Sequence, residues 1–134
     1  MGEERSRRVG IVLLVMVIGI LIVMVAPHFM RKSESALREA ANTTINGEIA
    51  LALDLYEGDN GSYPAKLEDL VARPASLTTW KGPYLKKVLP LDPWGSPYVY
   101  RIPGVHNSDS YDLHSIGKDK QDSTADDIVN WKKA

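Results

Sequence analysis

Cysteine is absent from this 134-residue chain, which excludes disulfide staples, thiolate nucleophiles and cysteine-ligated zinc. A surplus of either charge is absent too: 16 basic residues meet 17 acidic ones, for a net charge of −1. Nucleic acid binding driven by phosphate neutralisation is therefore not expected. The length leaves room for one small domain and excludes a large α/β enzyme. Catalytic patterns are also missing. The sequence holds no Gly-x-Ser-x-Gly elbow and no phosphate-cradling glycine loop, so no enzyme is expected. His28, His106 and His114 form no His-x-x-x-His pair, which leaves zinc unsupported.

The most informative gap is one of charge. From Val9 to Met30 there is no Asp, Glu, Lys or Arg, and Val12 to Val25 is apolar on every helical face. About 22 helical residues reach about 33 Å, against about 30 Å of bilayer hydrocarbon. The roughly 100 residues that remain could hardly wrap such a helix as a core. A cleaved signal would end in small residues, whereas this run ends Ala26-Pro27-His28-Phe29-Met30, so an uncleaved anchor is the expectation. Arg5, Arg7 and Arg8 precede the run, and Arg31 and Lys32 follow it. That balance favours a cytoplasmic N-terminus with the larger part outside.

Beyond Pro27 the pattern turns amphipathic. Leu37, Ala41, Ile45, Ile49, Leu53 and Tyr56 recur every three or four residues, predicting one long helix to about Glu57 with a permitted bend at Pro27. Gly58-Asp59-Asn60-Gly61 is the predicted stop. A short helix is predicted over Ala65–Ala72, a loop around an extended segment over Trp80–Lys87, and a turn at Asp92-Pro93-Trp94-Gly95. Three strands are predicted, Tyr98–Ile102, Tyr111–Ile116 and Asp127–Trp131. The fold class that follows is α+β, with a long N-terminal helix on a small antiparallel β-sheet. Its divisions are a basic segment (1–8), a transmembrane part of the helix (9–30), an amphipathic extracytoplasmic part (31–57) and a small head with a C-terminal acidic loop (58–134). The aromatics Trp80, Trp94, Trp131, Tyr84, Tyr98 and Tyr100 are expected to pack the thin β-layer, a ligand surface being the alternative.

One cluster can carry chemistry. Asp119-Lys120-Gln121-Asp122-Ser123-Thr124-Ala125-Asp126-Asp127 lacks the EF-hand spacing and its closing glutamate. By composition it is either a solvated acidic loop or an oxygen-rich calcium site.

Several segments carry a family resemblance. Asp59-Asn60-Gly61-Ser62-Tyr63-Pro64, Trp80-Lys81-Gly82-Pro83-Tyr84-Leu85-Lys86-Lys87 and Asp92-Pro93-Trp94-Gly95-Ser96-Pro97-Tyr98-Val99-Tyr100 resemble the major pseudopilins of bacterial type II secretion, the general secretion pathway protein G family. So do Tyr111-Asp112-Leu113, Ser115-Ile116-Gly117-Lys118-Asp119 and Asp126-Asp127-Ile128-Val129-Asn130-Trp131. The resemblance implies a single-pass inner-membrane protein that assembles through its long helix into a periplasmic pseudopilus supporting export across the outer membrane. Implied partners are further pseudopilin copies, minor pseudopilins, the inner-membrane secretion platform and the bilayer, with no nucleic acid. It also implies structural calcium, with Asp119 and Asp126 as side-chain ligands and the backbone carbonyls of Ile116 and Lys118 beside them. Asp122 and Asp127 are further ligands or supports in that reading.

The N-terminus departs from the family pattern, which has a prepilin peptidase cleavage signal and a glutamate five residues into the mature chain. Aligning on Gly19 and Pro27 puts Arg5 at the cleavage glycine and Gly10 at the glutamate; taking Gly10 as the glycine puts Val15 there. Neither register supplies the carboxylate that sets subunit position in lipid. That departure favours an alternative function, a non-polymerising, calcium-stabilised, membrane-anchored binding module associated with a secretion platform.

Overall fold

The computed structural model describes residues 2–86 and 88–132, and for residues 25–32 the backbone alone. Contacts divide the chain into two compact units, 1–36 and 37–134. Helix α1 spans Gly2–Thr43. Within Gly2–Met24, an 18-residue window has a mean hydropathy of 2.5 and no buried share. The backbone is helical through Pro27; the bend expected there falls among side chains outside the described residues, as does Lys87 at the end of the Trp80–Lys87 segment.

In the second unit the helix opens into a π-helical turn, Thr44–Ile49, and resumes as α2, Ala50–Asn60. The spacing explains the wide turn. Ala41, Ile45, Ile49 and Leu53 are all buried and stand four residues apart. At about 100° per residue, each four-residue step overshoots a full α-helical turn by about 40°, so a stripe so spaced would wind off the core. A π turn, hydrogen-bonded from i to i+5, rotates less per residue and returns Ile49 and Leu53 to the same side as Ala41.

The helix runs three residues past its predicted end at about Glu57, into the predicted stop. Gly58 stays helical and Gly61 ends the helix, with φ +80° and its N–H donated to the Glu57 carbonyl at 2.7 Å. Of the predicted Ala65–Ala72 helix only a 3₁₀ turn, Leu67–Leu70, forms; its buried Leu67 and Leu70 pack against the helix while Tyr84 donates to the Leu70 carbonyl at 2.8 Å.

Three short antiparallel strands follow in the order β1 (Val99–Arg101), β2 (Asp112–Ser115) and β3 (Ile128–Val129). Val99 pairs with His114 and Arg101 with Asp112 across one ladder, and Ser115 with Ile128 across the other. Each is shorter than predicted. Pro103 has no N–H to extend β1. Beside β3, the Asn130 backbone N–H still donates to the Leu113 carbonyl at 3.0 Å, while its side chain accepts the Leu113 N–H at 2.9 Å and donates to the Tyr111 carbonyl at 3.1 Å.

Leu113, Ile128, Tyr98 and Tyr111 lie with Ile45, Ile49, Leu53 and Tyr56 in one hydrophobic core, the helix-on-sheet α+β arrangement expected. The Asp92 turn closes as predicted, Gly95 donating to the Asp92 carbonyl at 2.9 Å with φ +85°. Its buried carboxylate is satisfied by the Ser96 N–H at 2.7 Å and the Ser115 hydroxyl at 2.6 Å. Most of the aromatics pack inside. Trp80 meets Tyr84 edge-on and donates its indole N–H to the Asp69 carbonyl at 2.8 Å, and Tyr100 donates to the Pro64 carbonyl at 2.8 Å. Trp131 differs, stacking on His106 at 4.0 Å beside an open cavity.

Candidate functional site

The acidic loop joins β2 to β3, so its two ends are held by adjacent strands of the sheet. Inside it the backbone turns sharply, with positive φ at Gly117 (65°), Lys120 (57°) and Ser123 (67°). Gly117 is required twice over: a Cβ there would sit 2.5 Å from the Asp126 Oδ2 atom, and the left-handed backbone already disfavours a side chain.

Asp126 is the hub of the turn. Its Oδ2 accepts the N–H groups of Lys118 at 2.8 Å and Asp119 at 3.1 Å, while the Thr124 hydroxyl donates to its Oδ1 at 2.7 Å. The Thr124 hydroxyl and the Asp119 N–H together hold its carboxyl down at about 2. The Asp119 carboxyl also lies within hydrogen-bonding reach of it. Arg38 ties this turn to the helix by donating to the Asp126 carbonyl at 2.9 Å.

The six residues expected as calcium ligands therefore divide. Asp119 and Asp126 come together, with Lys118 hydrogen-bonded to the same carboxylate and Ile116 at the mouth of the turn. Two adjacent carboxylates on a backbone-rich turn suit a hard dication, which relieves their mutual repulsion and takes further oxygen ligands from the chain or water. Those residues fit calcium.

Asp122 and Asp127 converge elsewhere, on His114. The His114 Nε2 atom is 2.8 Å from Asp122 Oδ1, and that hydrogen bond holds the Asp122 carboxyl below its usual value. Asp127, buried, accepts the Ser123 N–H at 2.9 Å and the Thr124 N–H at 3.3 Å. His114 pairs with no second histidine at ligand spacing, so histidine spacing alone does not mark it. The signal was its position eight residues before Asp122, on a strand leading directly into the acidic loop.

The first unit carries the other functional surface. Val9, Ile11 to Ile18 and Ile20 to Met24 are each about half exposed or more, from 47% at Ile18 to 74% at Met24, a continuous apolar sleeve that lipid or neighbouring chains must cover.

Comparison with known proteins gives these features a context. The family described as Type II secretion system (T2SS), protein G matches residues 28–131. The type II secretion system core protein G of Pseudomonas aeruginosa is 40% identical, over 92% of this chain and 91% of that protein. Its counterpart in Escherichia coli strain K12 is also 40% identical, over 90% and 86%. The crystal structure of the major pseudopilin from the type 2 secretion system of enterohaemorrhagic Escherichia coli superposes with a TM-score of 0.65 at 30% identity, over 76% of this chain and 88% of that one.

Proposed function

This chain belongs to the type II secretion system protein G family, and on that premise we propose that it acts as the structural subunit of a pseudopilus, assembling through its N-terminal helix to support protein export. The observation that carries the reading is the apolar sleeve of α1. None of Gly2–Met24 is buried against the rest of the chain, so its stable surroundings are lipid in the membrane or other copies in a filament. Residues 9–30 are the span in this reading, and the excess of basic residues ahead of it favours a cytoplasmic N-terminus with the head in the periplasm and the inner membrane between. Partners are further copies, minor pseudopilins and the inner-membrane platform. The family is one of structural pseudopilins, and the head's chemistry is accordingly that of holding shape.

Calcium is the second part of the proposal. Asp119 and Asp126 would hold it, with the carbonyls of Ile116 and Lys118. A calcium ion there supplies charge compensation for the paired carboxylates. The chain's own part is to pre-form the turn, through Gly117, the Asp126 hydrogen bonds and the Arg38 tie to the helix.

Because the chain has no cysteine, single introduced cysteines report cleanly. Leu51 and Leu55 are 61% and 52% exposed on α2. With Leu51→Cys or Leu55→Cys, oxidation in cells is expected to give disulfide-linked dimers from neighbouring copies. Protein that stays monomeric in cells making an otherwise active secretion system would favour the non-polymerising alternative, whose basis is the absence of any carboxylate from residues 9–30. Thermal melting of the full chain in detergent tests the metal. Calcium is expected to raise the midpoint and chelator to lower it, with Asp119→Ala losing the response; an unchanged midpoint contradicts the assignment.

A further inference from the structure

Three side chains from three segments meet beside the Asp119–Asp126 turn, and the Thr124 hydroxyl lies between the two, 2.7 Å from Asp126 Oδ1 and 3.1 Å from Asp127 Oδ1. His114 comes from β2, Asp122 from the loop's outer part and Asp127 from the residue before β3. One ligand-capable atom of each lies within 4.8 Å of the other two. All three line a cavity of about 510 Å³, whose wall continues through Trp131 and His106. We propose that His114, Asp122 and Asp127 form a second cation site, for a borderline transition dication of the zinc class, separate from the all-oxygen calcium turn.

The chemistry of the donors sets the class. Calcium prefers six to eight oxygen ligands, whereas an imidazole nitrogen with two carboxylates suits zinc, cobalt or manganese. Three protein ligands facing a cavity leave the remaining coordination positions to water. The ligands differ in freedom in a way that lets the site close. His114 is only 8% exposed, on the central strand of the sheet, and Asp127 is 4% exposed with its carboxylate fixed by the N–H groups of Ser123 and Thr124. The Asp122 side chain is 51% exposed. The exposed Asp122 side chain is the ligand with most room to adjust to metal–ligand bonds of about 2.0–2.2 Å.

The metal would take the place of the proton now shared between His114 Nε2 and Asp122 Oδ1. The ring proton then resides on Nδ1, which is buried and has no hydrogen-bond partner. Metal-bound histidines ordinarily donate that proton to a carboxylate or carbonyl, and its lack weakens binding by about 10- to 100-fold. Occupied, the site would pin the loop to β2 and to the start of β3 independently of the calcium turn.

Cobalt(II) reports such a site through its visible absorption. The untagged full chain in detergent, saturated with calcium, is titrated with cobalt and the bound cobalt displaced with zinc. A saturable visible band that zinc abolishes is expected, with affinity falling at least tenfold in His114→Phe. Asp119→Ala should keep the band while losing its calcium-dependent melting shift. Should His114→Phe fail to fold, Asp122→Asn at the exposed ligand tests the same bond, again with at least a tenfold loss. Absence of a band in the unmodified chain, a band that survives both substitutions, or displacement of cobalt by calcium overturns the proposal.

Discussion

At Asp112 the loop 104–107 closes around a carboxylate. Its Oδ2 accepts the N–H groups of Val105 at 2.8 Å and His106 at 2.9 Å, its Oδ1 accepts that of Asn107 at 2.9 Å, and the His106 ring nitrogen stands 3.0 Å away. Burial alone would push this carboxyl up; the converging donors outweigh it and hold the group at about 2. A carboxyl depressed on folding stabilises the folded state above its unfolded pKa near 4, and that contribution fades as pH falls from about 4 towards 2. The side chain is only 5% exposed, so a contribution of about 2 kcal/mol above that window is expected. Denaturant titrations between pH 2 and 7 should show Asp112→Asn less stable by about that amount at neutral pH, with the difference shrinking in acid. A difference independent of pH would contradict the assignment. The same scale shows what a sequence can disclose about the site. The acidic loop stood out by its run of carboxylates, whereas Asp119 and Asp126 were distinguished within it only by the family resemblance. The bond between His114 and Asp122 was not recognisable, because it depends on how the loop folds back over β2, which linear spacing does not encode.

Elements were legible in kind and misjudged in extent. Apolar periodicity located the helix, and turn residues bracketed the three strands, yet each strand is two to four residues long where five or six were predicted. Aromatic and β-branched composition does not reveal that the Asn130 side chain, rather than a backbone carbonyl, accepts the Leu113 N–H beside β3. The π turn was present in the pattern, since an unbroken run of four-residue spacings does not fit an α-helix face. Two glycines of the helical region separate conformational cost from conformational need. Gly47 lies in the π turn with open space where a Cβ would project, so Gly47→Ala should raise stability by about 0.5–1 kcal/mol. Gly61 caps α2 at φ +80°, and Gly61→Ala should lower it by about 1–2 kcal/mol despite equally open surroundings. For a unit of this size the midpoint shifts by roughly 4–8 °C per kcal/mol, so the opposite signs are readily resolved in thermal melts. Two shifts of the same sign would mean that backbone angle does not govern these positions.

At the scale of the whole chain, the uneven distribution of charge proved the most readable property. A charge-free run marked off the apolar helix, while the polar and aromatic remainder makes a small unit with a hydrophobic core of its own. Shape matching to a known major pseudopilin followed from that division. The charge-free run also governs how a copy is held in place. A shaft bearing no ion over residues 9–30 has no electrical notch along its length, so sliding by one turn through a greasy surround breaks no ion pair. In the proposed membrane-bound state its depth would then be set by the charges that flank the run in the sequence, Arg5, Arg7 and Arg8 before it and Arg31 and Lys32 after it.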